Sequence, residues 1–368
     1  MIVGIDGIDL DRIGGGQIDT VEFIKLIQKK NHEIKIFSNR DFDVTKMFNL
    51  YGIKDVEIIP LNSKLNVPMN SILMHFSLRK NPVDCFIKSN WFIPSKRTPY
   101  FNYALFPQNI FFYEKYYSKT SNFRRSWYWV FEIIQEKFLD ISGKYSLCNI
   151  AQSYFVKKVF WALYKINYNV IYPPVFQEDL YASEKEPNSI VAIGRIAKEK
   201  RYDILIQLAK KYPDYNFKII GGFDYSEDNY LILNEIIENT KKLKNLEVLI
   251  NTSRKKLVEI LSKSQFLIHL MPYEHFGMVI VEALACGTTP IAHQYGGPGE
   301  VIEKSIYGNS FRNFQDLLEN FNQFLNPKPP PKLMAKAKDF SPENFRKKIS
   351  KYLYEFLDIV NEKKVRLL

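Results

Sequence analysis

The stretch FLIHLMPYEHFGMVIVEALACGTTPIAHQYGGPGEVI, residues 266–302, decides the fold. Its first five residues form an apolar run of buried-strand length. A loop with Pro272 and Glu274 follows, and residues 276–286 then carry apolar side chains up to a Gly287 stop, which suits a helix. A second short apolar stretch, 290–292, runs into the glycine-rich turn 296–299. Strand, loop, helix, strand and glycine turn, in that order, predict a nucleotide-binding α/β domain.

Two carboxylates stand out there, Glu274 and Glu282. Eight residues at helical rise separate them by roughly 12 Å. Glycosidase pairs sit closer, at about 5–9.5 Å, so a hydrolytic dyad fits poorly. The longer spacing suits hydroxyl hydrogen bonds at two ends of one extended ligand, such as a nucleotide-sugar. Between them the backbone N–H groups of Phe276, Gly277 and Met278 open the helix and can face an anion. Gly277 lets a ligand approach the main chain closely.

The pattern E-H-F-G-x4-E, then A-C-G-T and A-H-x-x-G-G-P, resembles the donor-binding core of retaining GT-B glycosyltransferases of family 4. EHFG combined with AHQYGGP is similar to the α-1,2-mannosyltransferases of asparagine-linked glycosylation, which extend a lipid-linked oligosaccharide from GDP-mannose. The resemblance implies two facing Rossmann-like domains with a cleft between them. It implies that Glu282 holds the donor's ribose hydroxyls and that Glu274 holds the donor sugar's hydroxyls near the reacting carbon. It also implies metal-independent chemistry, with no cofactor beyond the nucleotide-sugar co-substrate, GDP-mannose or another NDP-hexose.

Arg195 and Lys200 complete that set. Gly194-Arg195 follows the strand run 190–193, and Lys200 precedes a helix over 201–211. Ligands of open α/β sheets bind at the carboxyl ends of strands. There an arginine can grip a diphosphate through two N–H groups while a lysine supplies a point charge. The resembling family places an arginine and a lysine here, neutralising the departing nucleoside diphosphate. Gly221 and Gly222, after the strand 217–220, match a family position where the chain passes close to the nucleotide. Gly14, Gly15 and Gly16 match a glycine loop lining the cleft, in a βαβ unit with strands 1–5 and 33–37 and an amphipathic helix over 21–30. The loop lacks G-x-G-x-x-G, which argues against NAD.

One position departs from the pattern. Many members of the family carry a histidine two residues before a proline at the end of an N-domain strand; here Leu105 stands two residues before Pro107. Asn102 and Gln108 are polar neighbours but no titratable base, and His75 is an alternative from another segment. His275 and His293 read as structural, and no histidine or cysteine cluster has metal-ligand spacing.

At 368 residues the chain predicts two domains. Residues 1–174 form an acceptor-side Rossmann-like domain and 175–340 a nucleotide-sugar domain; 341–368 is a C-terminal helix returning to the first. The diproline 173–174 and the polar stretch 177–189 are read as the linker. Further strands are expected at 56–59, 83–88, 100–104, 145–150, 169–172 and 247–250, and helices over 108–140 and from Ser153 to Tyr164. No apolar run reaches 18 residues and no leader pattern precedes the chain, so neither a transmembrane span nor a signal peptide is expected. Cys85, Cys148 and Cys286 are scattered, which fits a reducing compartment.

The formal charge of +11 calls for a polyanionic partner or surface. Between residues 111 and 170 Lys and Arg outnumber Asp and Glu nine to four, interleaved with Phe111, Phe112, Tyr116, Tyr117, Trp127, Tyr128, Trp129 and Trp161. That mixture suits a membrane interface, single-stranded nucleic acid, or an ordinary half-buried helical region. With the resemblance, it implies a peripheral enzyme at the cytoplasmic membrane face acting on a lipid-linked saccharide or glycan, with nucleic acid not expected. The alternatives are another NDP-sugar with a soluble acceptor, or a non-catalytic nucleotide-sugar-binding protein on a degenerate GT-B scaffold.

Overall fold

The computed structural model describes residues 1–7, 18–38, 51–61, 76–88, 98–105, 146–223 and 227–367. The chain separates into two compact units. Unit 1 comprises Met1–Pro174 and Phe345–Leu368, and unit 2 comprises Val175–Asn344.

The described sheet of unit 1 has strands β1 (Ile2–Asp6), β2 (Glu33–Ser38), β3 (Val56–Pro60), β4 (Cys85–Lys88), β5 (Tyr100–Ala104), β6 (Cys148–Ala151) and β7 (Asn169–Val170). Their order is β3-β2-β1-β4-β5-β6-β7 and every pair is parallel. A parallel sheet is covered on both faces, so its strands read as apolar runs. Val3, Ile5, Ile34, Ile36, Ile87, Phe101, Tyr103 and Ile150 are all buried accordingly. The helix Ile18–Gln28 covers one face with Val21, Phe23, Ile24, Leu26 and Ile27. Ser153 caps the helix Tyr154–Tyr164, its hydroxyl accepting the Val156 N–H at 3.1 Å.

The helix Pro342–Leu367 repeats apolar residues at helical spacing, and Phe345, Ile349, Leu353, Phe356, Leu357 and Val360 enter the same core. Phe23 meets Phe101, Tyr103 and Phe345 edge-on, at 5.7, 5.7 and 5.9 Å between ring centres. Glu22 is fully buried and would be costly there unpaired; Arg346 of that helix reaches it at 2.5 Å.

Asp19 has no such partner. It is buried, its Oδ1 accepts the Thr20 N–H at 2.8 Å, and among the described residues its Oδ2 meets no hydrogen-bond donor. Burial pushes its carboxyl up to about 7. The native state therefore keeps a proton that the unfolded chain gives up near its ordinary value of 3.8. Stability must fall as pH rises through that window, at about 1.4 kcal/mol per unit and a few kcal/mol in all. Asp19→Asn removes this dependence. The variant is expected to melt well above the wild type at pH 8 and close to it at pH 4; an equal offset at both would refute the assignment.

Unit 2 holds six described parallel strands: β8 (Glu186–Arg195), β9 (Asn216–Gly222), β10 (Leu246–Ile250), β11 (Ser264–His269), β12 (Thr289–His293) and β13 (Asn309–Phe311), ordered β10-β9-β8-β11-β12-β13. The chain builds outward from β8 to β10, then returns to lay β11 on the other side of β8. The carboxyl ends of β8 and β11 thus flank the switch point, the usual crevice for ligands of such sheets.

The polar stretch 177–189 is not all linker. β8 begins at Glu186, because pairing of Glu186 with Ser264 of β11 extends the strand into polar sequence. Gln177 is also tied down, its Nε2 donating to the Ala337 carbonyl at 2.7 Å. The predicted helix over 108–140, the glycines Gly14, Gly15 and Gly16, His75, Gln108, and the basic-aromatic residues up to Trp129 lie outside the described residues. Among the described residues no helix is long and apolar enough to cross a membrane.

Candidate functional site

The segment after β8 is shaped by two glycines, Gly194 and Gly221. A Cβ on Gly221 would stand 2.2 Å from Ile196 Cδ1, so the bare backbone of β9 seats the Ile196 side chain. The Ile196 N–H donates to the Gly222 carbonyl at 2.8 Å. Gly194 would bring a Cβ within 3.2 Å of the Tyr202 hydroxyl and 3.3 Å of the Lys200 stem. Gly194 and Gly221 thus position residues 195–200, while a Cβ on Gly222 would meet nothing within 4 Å among the described residues.

Lys200 crosses the switch point. Its Nζ lies 2.8 Å from Glu274 Oε2 and 3.4 Å from Met271 Sδ, beyond the end of β11. Both charged side chains are mostly buried, at 16% and 17% exposure, so solvent screens the pair weakly. Glu274 Oε1 accepts the N–H of His275 at 3.1 Å, and His269 Nε2 stands 3.6 Å from Oε2. Burial alone would raise the Glu274 carboxyl, but the His269 imidazole and the Lys200 charge outweigh it and hold it well below the usual range. Burial lowers His269, more than Glu274 raises it, so its ring stays neutral near pH 7. His275 is pushed down to about 4, first by burial.

Glycines also fix the Glu274 loop. Gly297 donates its N–H to the Glu274 carbonyl at 2.8 Å. A Cβ on Gly296 would fall 2.7 Å from that oxygen, and one on Gly297 2.2 Å from Phe276 Cα. The Glu274 loop and the GGPG turn after β12 are therefore packed backbone on backbone. Gly277, at φ +84, starts the helix Met278–Ala285 without a side-chain cap. Its first N–H groups carry the helix's positive end. The Phe276 side chain is buried against Phe340, 5.6 Å between ring centres, which leaves its main chain as the group a ligand could meet.

Glu282, on that helix, belongs to a second cluster. Its Oε1 accepts from Arg254 Nη1 at 2.6 Å, and Arg254 is held by Asp179 through Nε at 2.7 Å and Nη2 at 3.2 Å. Burial pushes the Glu282 carboxyl up and Arg254 pulls it partly back. Arg195 stands apart from both clusters: its guanidinium is 66% exposed and pairs with Glu199 at 3.1 Å. Such a surface pair is worth little and yields easily to a stronger anion.

Lys200 and Glu274 are thus brought together, while Arg195 and Glu282 find partners absent from the sequence prediction. His269, Arg254 and Asp179 were missed. His269 hides in the apolar run FLIHL, where only its place at a strand end, five residues before Glu274, marks it. Leu105 packs against the unit 1 core, and Asn102 is engaged by Asn149 and Tyr168, both at 2.9 Å. Among the described residues no group of His, Cys, Asp and Glu could hold a metal ion.

Residues 177–341 match the family model described as Glycosyl transferases group 1. An uncharacterized glycosyltransferase of Methanocaldococcus jannaschii is 34% identical over 176 residues, 47% of this chain and 48% of the relative. The mouse GDP-Man:Man(3)GlcNAc(2)-PP-Dol alpha-1,2-mannosyltransferase is 31% identical over 156 residues, 37% of this chain and 32% of the relative. The chain therefore spans half or less of the length of these curated relatives. The solved structure of sucrose-phosphate synthase from Thermosynechococcus elongatus superposes with a TM-score of 0.73 at 12% identity, covering 97% of this chain and 99% of that one. That likeness shows the fold, the GT-B fold of two parallel-sheet α/β domains.

Proposed function

From the premise that residues 177–341 are a glycosyl transferases group 1 domain, we propose that this chain is a retaining glycosyltransferase that moves mannose from GDP-mannose to a lipid-linked saccharide. The carrying observation is the Lys200–Glu274 pair across the carboxyl ends of β8 and β11. A nucleotide-sugar bound there sets its diphosphate against Lys200, with Arg195 swinging in from its surface pair and the amino end of the helix Met278–Ala285 facing the phosphates. Glu274 accepts hydroxyls of the sugar and Glu282 those of the ribose. As the bond from the sugar's C1 to phosphate breaks, negative charge gathers on the departing diphosphate, and the fixed cations neutralise it. Such prearranged charge is usually the largest catalytic contribution.

The donor and acceptor rest on the likeness to the mouse enzyme, whose name specifies GDP-mannose and a dolichol-linked saccharide, and on the EHFG and AHQYGGP motifs. The net charge of +11 supports an anionic membrane face. The test offers GDP-mannose with a polyprenyl-linked saccharide in anionic vesicles, or with soluble glycans, and follows the product by mass spectrometry. Mannose on the lipid-linked acceptor is expected, together with co-sedimentation of the protein with the vesicles at low salt. Transfer only to soluble glycans, or only from another nucleotide-sugar, would replace the proposed substrates.

A further inference from the structure

We propose that Arg254, locked by Asp179, is a positioning residue that presents Glu282 to the donor's ribose and so sets how tightly the nucleotide half of the donor is held. The proposal rests on the donor-site reading above and adds two residues that neither the motifs nor the comparisons point to.

Three separate segments build the arrangement. Arg254 opens the helix Arg254–Lys263 after β10, Glu282 lies on the helix after β11, and Asp179 precedes β8. Arg254 presents Nε and Nη2 to the two oxygens of Asp179, a two-point grip that fixes the guanidinium plane. The remaining Nη1 then holds Glu282 Oε1 at 2.6 Å. Among the described residues nothing bonds the other oxygen, Oε2. One carboxylate oxygen is thus pinned and the other left for a ligand.

Charge identifies the ligand group. Two carboxylates and one guanidinium leave a net negative cluster, which repels phosphate and suits hydroxyl donors. A ribose diol is such a donor. Stability explains the cluster poorly, because Arg254 and Asp179 are nearly half exposed and surface pairs contribute little.

Electrostatics gives the arginine a second duty. The titratable groups facing Glu282 are Arg254 and Asp179, with the Cys286 thiol one turn along its own helix. Burial pushes the Glu282 carboxyl up, Asp179 adds to that, and Arg254 opposes both. An ionised Glu282 accepts hydroxyl hydrogens at its open oxygen, whereas a protonated one has a hydrogen of its own to place. Removing Arg254 therefore both frees the carboxylate and shifts its proton loss to higher pH.

The experiment measures dissociation constants of GDP, UDP and ADP, and of their 2′,3′-dideoxy analogues, on wild type, Arg254→Met, Arg254→Lys and Asp179→Asn, from pH 6 to 9. For the nucleotide the wild type binds, Arg254→Met is expected to weaken the ribose form about tenfold at pH 7, about 1.4 kcal/mol. The dideoxy form should weaken by less than about twofold, since the hydroxyls through which Arg254 acts are gone. The penalty should shrink as pH rises, with Arg254→Lys and Asp179→Asn in between. Equal weakening of ribose and dideoxy forms, or none, would overturn the role of Arg254 while leaving the donor site standing. A folded wild type that binds no nucleoside diphosphate would instead overturn the donor-site reading and this proposal with it.

Discussion

Glu274→Gln is expected to slow sugar transfer by about a hundred- to a thousandfold while the protein melts within a few degrees of wild type. The fold should survive because the amide has nearly the same volume and its one oxygen can still accept either the His275 N–H or the Lys200 ammonium, though not both. The charge does not survive. Glu274 is ionised in the native site because His269 and Lys200 outweigh its burial. A neutral amide leaves the Lys200 cation without its counter-charge and, in the proposed donor site, the sugar hydroxyls without a full carboxylate acceptor. Losing one preorganised group of this kind costs about 10²–10³ in rate. The same electrostatics fixes the pH behaviour. A carboxyl held well below the usual range stays charged until the medium is more acidic than an ordinary carboxylate requires. An acid limb of activity above the ordinary carboxylate range must therefore come from another group, Glu282 being the raised carboxyl of the site. Release of nucleoside diphosphate under single-turnover conditions checks the claim, and a rate within tenfold of wild type would remove Glu274 from the reaction.

Gly297→Ala should be among the most damaging single methyl groups in unit 2. Its Cβ would lie 2.2 Å from Phe276 Cα, 2.6 Å from the His275 carbonyl oxygen and 2.7 Å from the Phe276 nitrogen. All three are main-chain atoms, so no rotamer change can relieve the overlap. Either the Glu274 loop or the glycine turn must move, breaking the hydrogen bond from Gly297 to the Glu274 carbonyl. Overpacking with backbone displacement costs about 3 kcal/mol or more, a drop of roughly 6–12 °C for a unit of this size. Gly222→Ala is the matched control: with nothing among the described residues within 4 Å of the new Cβ, it should stay within about 0.5 kcal/mol. Calorimetric melting of the two variants decides the matter, and a Gly297→Ala protein melting with the wild type would show that the two loops are not packed as described.

How far the sequence foretold this site follows from how local each feature is. β5 spans the predicted residues, and β1, β9 and β11 lie within two residues of them, because each is a short run of Ile, Val, Leu and aromatic residues bounded by turn formers. Ser153 was legible as a cap for the same reason, since its bond to Val156 spans three residues. Lys200 and Glu274 were found through motif likeness, and their contact across 74 residues is visible only in the folded sheet. Arg254 and Asp179 carry no local mark. An arginine opening a polar helix and an aspartate in a connection are ordinary surface residues until β10, β11 and the chain before β8 converge. β13 escaped because three residues, Asn309–Phe311, are too few for a period, and pairing with β12 makes the strand. Glu22 and Arg346, 324 residues apart, could not have been matched by any spacing rule.

Ligand-induced stabilisation measures whether unit 2 holds a nucleotide-sugar at the ends of β8 and β11. The melting temperatures of wild type and Glu282→Ala are measured in titrations with GDP-, UDP- and ADP-sugars. A ligand selective for the native state must raise the melting temperature, by about 2.7 kcal/mol at a hundred times its dissociation constant. One nucleotide class, GDP-sugars by the proposal above, should stabilise the wild type and do so far less in Glu282→Ala. A well-folded wild type that no nucleotide-sugar stabilises would contradict it.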